Sequence, residues 1–362
     1  MTWLTFVTVH TRCKVPVTTQ LPKDRAPSIR DVARLAGVSY QTVSRVLNNH
    51  PSIRETTKAR VTQVMEEIQY RPNRAARMLV TRHSRTIGVL SASSASYGPA
   101  RSIVAIEDAA RAAGYYVNIA NLPAADPASI SEALEHLMEQ AIEGLVVIAP
   151  QVRVFDALAR MSIDVPYVSL QSTRHAEHLV PPDQVAGARM ATRHLIDLGH
   201  REIIHLAGPQ DWIEAEARMR GFLEEIDRAE LNTNPPILGD WSSDFGYRAG
   251  AELLRTRQFS AVFAASDHMA LGLLHAFREG GINVPGDISV VGFDDMPDTR
   301  HFLPPLTTIR QDFGEIGRHT VEVLLGEVGG RQVAERAQIL PELVVRGSTG
   351  RAPGTTASVT QA

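Results

Sequence analysis

Short apolar runs alternate with stretches of helical spacing from residue 86 to residue 350 of the chain. Each run has the length of one buried strand, and segments such as Val185–Leu198 and His268–Glu279 carry apolar residues at helical spacing. This strand–helix–strand repetition predicts parallel sheets that are covered by helices on both faces. The seven runs are Ile87–Leu90, Tyr116–Ala120, Gly144–Ala149, Tyr167–Leu170, Ile203–Ala207, Ala261–Ala265 and Ile288–Gly292.

The length of this part, 265 residues, exceeds what a single open sheet usually holds. Two similar lobes with a cleft between them are therefore predicted. Ligands of such folds bind beyond the carboxyl ends of the parallel strands. The sequence thus predicts an α/β protein whose small-molecule site lies in the cleft.

The charges are divided unevenly along the chain. Residues 1–85 hold 15 Lys and Arg against 5 Asp and Glu, whereas the remaining residues hold 22 against 35. A basic head on an acidic body indicates that the head meets a polyanion. A basic face that is simply solvated is the alternative, and charge alone does not separate the two.

Two helices joined by a glycine-containing turn are predicted within the basic head. Ser28 can cap the first helix with Asp31 three residues on, Gly37 ends it, and Ser39 can cap a second helix over Tyr40–Leu47. A third helix is predicted over Glu55–Gln69. This arrangement is typical of a helix-turn-helix, and an ordinary helical hairpin is the alternative.

The second helix of a helix-turn-helix lies in the major groove, with its first residues at the base edges. Tyr40, Gln41 and Arg45 occupy those positions, and Gln and Arg can pair bidentately with adenine and guanine. Small polar residues nearby can hold phosphates, which fix register and not sequence. These residues are Ser39, Thr42, Ser44 and Asn48.

Two motifs of the head resemble one family of transcriptional regulators, the LacI/GalR family. Residues 28–48, SIRDVARLAGVSYQTVSRVLN, resemble its helix-turn-helix signature, and residues 70–79, YRPNRAARML, are similar to its hinge helix. The resemblance continues to about residue 349. It implies that paired hinge helices enter the minor groove, with Asn73 and Arg74 at the DNA and Leu79 wedged into a base step.

The resemblance also implies a core like that of type I periplasmic sugar-binding proteins, with an effector in the cleft. Gln171 and Ser266 depart from a sugar-responsive family member, which has Asp and Asn there, so the sugar can differ from a simple galactoside. Without the resemblance, Arg218 could be a solvated helix arginine and Trp241 a core residue. The implied effector-binding set is Gln171, Arg218, Trp241, Ser266, Asp294, Gln311 and Phe313.

Other classes of protein fit the sequence poorly. No apolar stretch is long enough for a membrane helix, and a lone cysteine, Cys13, fits the cytoplasm. No catalytic or cofactor motif is found, so neither an enzyme nor a cofactor is expected. Asp294 and Asp295 would point to opposite sides of a strand end, unlike a glycosidase pair. His194 and His200 are six apart, which is not a metal-ligand spacing on a helix.

The sequence therefore predicts a homodimeric repressor of carbohydrate-utilisation genes, released from a two-fold symmetric operator by a sugar. A corepressed regulator, a regulator that responds to a non-sugar molecule, and a plain sugar-binding protein are the alternatives. The C-terminal tail has no Leu heptad, so a tetramer is not expected. The predicted divisions are disordered tails at 1–27 and 351–362, a helix-turn-helix at 28–72, a hinge helix and linker at 73–85, and a two-lobed effector-binding and dimerisation domain at 86–350.

Overall fold

The computed structural model describes residues 26–48, 50–71, 78, 83–92, 96–149, 151–170, 183–331 and 339–354. The chain divides into two compact units, Met1–Ser84 and Arg85–Ala362. Several predictions fall outside the described residues and stay predictions: those on residues 1–25 and 355–362, and those on Asn73, Arg74, Leu79 and Gln171.

The first unit contains three helices with capping that the sequence predicts. Ser28 caps the first in a capping box, in which Ser28 Oγ accepts from the Asp31 amide and the Asp31 carboxylate accepts from the Ser28 amide. Gly37, at φ +62°, makes the turn, and Ser39 Oγ caps the second helix by accepting from the Thr42 amide at 3.1 Å. The helices are α1 (Ile29–Leu35), α2 (Tyr40–Leu47) and α3 (Glu55–Glu67).

The buried apolar residues that the structure describes in this unit are all small. They are valines and alanines, and larger side chains such as Leu35, Leu47 and Met65 are partly buried around them. Small side chains let the helices approach closely, which holds the exposed face of α2 in a fixed position. The enclosed residues are Val32, Ala33, Ala36, Val43, Val46, Val61 and Val64.

The second unit has two α/β lobes. The sheet of the first lobe has the strand order β2-β1-β3-β4 and is parallel throughout. Its strands are β1 (Thr86–Ser91), β2 (Tyr116–Asn121), β3 (Gly144–Ile148) and β4 (Tyr167–Ser169), and its helices are α4 (Tyr97–Ala112), α5 (Pro127–Glu139) and α6 (Val152–Leu158).

The sheet of the second lobe has the order β10-β9-β8-β7-β5-β6. Its strands are β5 (Ile203–Ala207), β6 (Ile237–Leu238), β7 (Ala261–Ala264), β8 (Ser289–Asp294), β9 (Thr307–Arg310) and β10 (Glu342–Val344). Its helices are α7 (Gln184–Asp197), α8 (Ile213–Arg228), α9 (Ser243–Thr256) and α10 (Asp267–Glu279). The edge strand β10 runs antiparallel to β9, which differs from the expectation of parallel strands. β10 does not follow β9 through a helical crossover within this lobe, so the parallel orientation is not imposed on it.

One helix ties the two lobes together. The chain leaves β9 in the second lobe and returns to the first lobe as α11 (Phe313–Val328). Ile316, Val321 and Leu324 of this helix are buried in the same apolar cluster as Ile87 and Val146 of the first sheet. The carboxyl ends of β8 and β9 are thereby brought beside the first lobe, and the predicted cleft lies at these ends.

Alternation along the central strands of the second lobe confirms helices on both faces of its sheet. Along β7, Val262 and Ala264 enter one apolar cluster, whereas Ala261 and Phe263 enter the other. Side chains of a strand alternate between faces, so both faces of this sheet are buried. Among the described residues, no helix is long and apolar enough to cross a membrane.

Candidate functional site

The exposed face of α2 carries the three residues that the sequence predicts at base edges. Tyr40, Gln41 and Arg45 are exposed, whereas Val43 and Val46 on the opposite face are buried. Tyr40 has 49% of its surface exposed, a large value for an aromatic residue in a folded helical unit. The helix thus presents one polar surface that is free to meet a partner.

The predicted phosphate-holding residues surround this face. Ser39 and Asn48 are exposed at the two ends of α2, and Thr42 and Ser44 are half-buried along it. The Ser39 and Thr42 hydroxyls lie 2.9 Å apart and bond to each other. Ser39 therefore caps the helix while its hydroxyl stays at the surface.

A cavity of about 410 Å³ lies between the two lobes of the second unit. The first lobe contributes the start of α4, the end of β3 and the start of α11. The second lobe contributes α8, the end of β8 and the residues that follow β6, β7 and β9. Six of the seven residues that the family resemblance implies for the effector line it, and the seventh, Gln171, is not described. The six are Arg218, Trp241, Ser266, Asp294, Gln311 and Phe313.

A closed network of hydrogen bonds forms the polar wall of the cavity. Arg218 donates from Nε to Gln184 Oε1 at 2.8 Å and from Nη2 to Asp294 Oδ1 at 3.1 Å. Gln311 donates from Nε2 to the same Asp294 oxygen at 2.8 Å, and Gln184 donates to Gln311 Oε1 at 2.6 Å. A third Arg218 nitrogen, Nη1, donates to the carbonyl of Ala265. These planar groups hold one another in fixed positions. A ligand that binds to the wall therefore pays little entropy to order them.

Arg218 is buried, so the alternative of a solvated helix arginine is wrong. Only 5% of its surface is exposed, and its guanidinium carbon lies 3.8 Å from the centre of the Phe293 ring. A planar guanidinium stacks well on an aromatic face, and an Asp carboxylate balances its charge.

Asp294 and Asp295 have different partners: Arg218 and Gln311 donate to Asp294, whereas Arg310 and Arg346 donate to Asp295. Burial raises the pKa of the Asp294 carboxyl, against the opposing effects of Arg218 and Gln311. Burial would also raise the pKa of Asp295, but hydrogen bonds from Arg346 and Arg310 lower it below its usual value. Asp294 has φ +105° and Asp295 φ +47°, which turns the backbone at the strand end and separates the two side chains.

Aromatic rings form the other walls. Tyr97 and Phe313 meet edge to face, with ring centres 6.0 Å apart, on the side of the first lobe. Trp212 and Trp241 meet edge to face at 5.4 Å on the side of the second lobe. Trp241 has φ +70°, an uncommon backbone conformation for a large residue, and its ring lies against the Cα of Gly208, where a side chain would overlap it.

Several wall residues were not predicted from the sequence. Gln184 begins α7 after an undescribed segment, and Trp212 lies five residues beyond the end of β5. Their place after strands of a parallel sheet was the available signal, but it could not show which loop residues point inward. Apart from four serines, the unpredicted polar and aromatic wall residues are Tyr97, Gln184, Trp212, Glu214, Asp240 and His268.

No metal centre competes with this cavity in the part of the chain that the structure describes. There, no group of three or more His, Cys, Asp or Glu residues is placed to hold a metal ion. The residues predicted to contact base edges lie on the exposed face of α2, and the described residues implied for the effector line the cavity.

Two family models match the chain, one in each unit. A model described as "Bacterial regulatory proteins, lacI family" matches residues 28–73. A model described as "Periplasmic binding protein-like domain" matches residues 192–349. The first match covers α1, α2 and α3, and the second covers most of the second lobe together with α11.

Full-length relatives carry both parts. The chain is 34% identical over 332 residues to the lactose operon repressor of Escherichia coli (strain K12), covering 91% of this chain and 92% of the relative. It is 32% identical over 331 residues to the HTH-type transcriptional repressor PurR of Haemophilus influenzae (strain PittEE), covering 89% and 98%. A crystal structure of the lac repressor dimer bound to operator and the anti-inducer ONPF matches with a TM-score of 0.80 and 33% identity, covering 90% of this chain and all of that one.

Proposed function

The chain belongs to the LacI family of bacterial regulatory proteins and is a DNA-binding transcriptional repressor, not an enzyme, and from this premise we propose that a sugar bound in the cavity releases it from its operator. The proposal has three parts: the ligand class, the DNA contacts and the direction of the response. The wall formed by Gln184, Arg218, Asp294 and Gln311 carries it.

The chemistry of the wall suits a sugar. A ring of hydroxyls needs donors and acceptors on planar groups along its edge, and flat apolar surfaces against its C–H faces. Arg218 and Gln311 supply donors, Asp294 supplies acceptors, and Trp241 supplies a flat surface beside them. The cavity volume of about 410 Å³ lies in the range of small-molecule pockets. The relatives include a lactose operon repressor, which supports a carbohydrate.

A purine is the second candidate ligand, and one observation favours it. Tyr97, Phe313 and Trp241 give the cavity flat aromatic surfaces on two sides, and a planar base would fit between such surfaces. A relative at 32% identity is a repressor named PurR. A purine would need partners for its ring nitrogens, whereas the donors and acceptors of the wall are arranged around one carboxylate.

On the DNA, α2 is proposed to enter the major groove. Tyr40, Gln41 and Arg45 would contact base edges, and Ser39, Thr42, Ser44 and Asn48 would hold phosphates. Asn73, Arg74 and Leu79 are proposed for the minor groove, with Leu79 as a wedge. A homodimer would read a two-fold symmetric operator of carbohydrate-utilisation genes in the cytoplasm.

The response is proposed to be induction. A ligand shifts an equilibrium only by its difference in affinity for the two states. A sugar that contacts both lobes at once can favour one lobe arrangement over another, and the arrangement it favours is proposed to bind the operator more weakly.

The ligand class is tested by direct binding with a matched pair of arginine variants. Arg218 is buried in the wall, whereas Arg220, two residues further along α8, is exposed. Calorimetric titration with galactosides, glucosides and purines should show a sugar binding to the wild type and to Arg220→Ala, with binding to Arg218→Ala at least about ten-fold weaker. Thermal unfolding checks that each variant is folded. Binding of a purine and of no sugar would contradict the proposal.

A further inference from the structure

One end of the cavity is lined by residues of which the proposed function uses only Trp241. Beyond the polar wall, the cavity is lined by Trp212, Trp241, Glu214 and Asp240, which we call the indole end. Arg218 and Asp294, at the polar wall, are less than a tenth exposed, whereas Asp240 is exposed at the surface. The cavity therefore runs from a buried polar wall to a mouth between two indoles and two carboxylates.

The backbone of Trp212 is held from several directions. Its amide donates to the carbonyl of Pro209 at 3.2 Å, and its carbonyl accepts from Glu216 at 3.0 Å in the first turn of α8. It also forms an antiparallel β-bridge with Gln151 of the first lobe. Beside it, Arg153 of the first lobe pairs with Asp211 at 2.8 Å. The backbone that carries the indole is thus held in place, and the indole itself packs edge to face on Trp241, which lowers the entropic cost of binding against it.

The Asp240 carboxylate of the indole end accepts hydrogen bonds. Burial would raise the pKa of Asp240, but hydrogen bonds from the hydroxyl and amide of Ser242 lower it, so the group is ionised at neutral pH. Both of these bonds reach Oδ1, which leaves Oδ2 to accept another. Glu214 adds a second carboxylate in the first turn of α8. An ionised carboxylate only accepts, so Asp240 favours a ligand group rich in hydroxyl donors and disfavours an anion.

We propose that the indole end is a second sugar subsite and that the effector is a neutral disaccharide. One ring lies at the wall of Arg218 and Asp294, and the second lies against Trp212, with a hydroxyl donating to Asp240. This inference rests on the proposed function, because it requires that the first ring is a sugar. Trp212 is a specificity-determining residue in this account: it favours two rings over one.

The test compares each disaccharide with a methyl glycoside of one of its rings. The pairs are lactose with methyl β-D-galactopyranoside, cellobiose with methyl β-D-glucopyranoside, and maltose with methyl α-D-glucopyranoside, titrated calorimetrically into the full chain. In at least one pair, the disaccharide should bind about ten-fold or more tightly than its methyl glycoside. Trp212→Ala should remove that advantage and change the affinity for the methyl glycoside less than about two-fold.

Two further variants keep the test decisive if Trp212→Ala does not fold. Trp212→Phe keeps a flat ring and should keep most of the advantage, whereas Asp240→Asn replaces an acceptor-only oxygen and should reduce it. Equal affinities within every pair that binds, or equal weakening of both members by Trp212→Ala, would overturn the second subsite and leave the proposed function intact. If no member of any pair binds, the second subsite and the sugar proposal both fail.

Discussion

Arg218 is the residue that best explains how the cavity is prepared for a ligand. Its guanidinium has hydrogen bonds to Gln184, Asp294 and the carbonyl of Ala265, and it stacks on Phe293. A buried ion pair of this kind adds little net stability, because desolvation offsets the attraction between the charges. Its value is positional: a ligand meets donors and acceptors that are already fixed.

His205 gives a stability prediction with a defined sign. Burial lowers the pKa of its imidazole from 6.5 to about 4, although its Nδ1–H donates to the carbonyl of Phe263 at 3.0 Å. Below about pH 6.5 the imidazole takes up a proton in the unfolded chain, whereas in the folded chain it stays neutral down to about pH 4. The free energy of unfolding therefore falls as the pH falls through this window. Between about pH 8 and pH 5, the free energy of unfolding should drop by roughly 2 kcal/mol more for the wild type than for His205→Phe.

Urea unfolding of both proteins across this pH range measures the difference between their free energies of unfolding. The contributions of all other titrating groups cancel in this comparison. Phenylalanine keeps the stacking of residue 205 between Phe222 and Phe263, whose ring centres lie 4.9 and 4.6 Å away. Parallel pH profiles for the two proteins would show that residue 205 takes up its proton in the folded state as readily as in the unfolded state.

Gly208 is predicted to control the position of Trp241. A methyl group on Gly208 would overlap the six-membered ring of Trp241, so Gly208→Ala should displace the indole from the cavity. We expect sugar affinity to fall by about ten-fold or more, with a stability cost of about 1–3 kcal/mol. Gly347→Ala is the matched control, because its methyl would meet Pro305 at an ordinary contact distance of 3.4 Å. Unchanged sugar affinity in Gly208→Ala would mean that Trp241 does not contact the ligand.

Among the helices and strands, α2 is the element in which neighbouring residues fix the structure and carry the proposed role. Val43 and Val46 anchor it, which leaves Arg45 on the exposed side. Arg45→Ala should weaken operator binding by about 1–3 kcal/mol, because a bidentate contact to guanine would be lost. Affinity for random DNA, measured at the same salt concentration, should change much less. An equal loss on both DNAs would assign Arg45 to a phosphate.

The elements that could be predicted from the sequence have strong local signals. The second helix of the head is observed over the predicted residues, because a serine cap and an apolar stripe define it. β6, β9 and β10 were not predicted. β6 has two residues, β10 is a short edge strand, and β9 contains Thr307 and Thr308, whose buried hydroxyls break the apolar pattern.

The candidate site was predictable only in part, because some of its residues have no strong local signal in the sequence. Asp294 ends an apolar strand, so its place at the carboxyl edge of the sheet follows from the sequence. Gln184 and Trp212 reach the cavity only because α7 and α8 start at that edge, and residues 127 positions apart, Gln184 and Gln311, meet there. Such long-range contacts depend on the strand order, which the local spacing of residues does not reveal.

For the whole molecule, the central claim is that a sugar in the cavity controls binding of the head to DNA. Arg218 and Trp241 lie in one unit of the chain, whereas Tyr40, Gln41 and Arg45 lie in the other. The claim therefore requires that binding free energy in one unit changes the affinity of the other, which is allostery in the thermodynamic sense.

The most direct test is operator affinity of the full chain, measured at fixed salt with and without each sugar of the galactoside and glucoside panel. Fixed salt is needed because phosphate contacts make the affinity strongly dependent on salt. We predict that one sugar weakens operator binding by about 5-fold or more, and that Arg218→Ala abolishes this response while keeping operator affinity. A sugar that tightens operator binding, or a response retained in Arg218→Ala, would contradict the account.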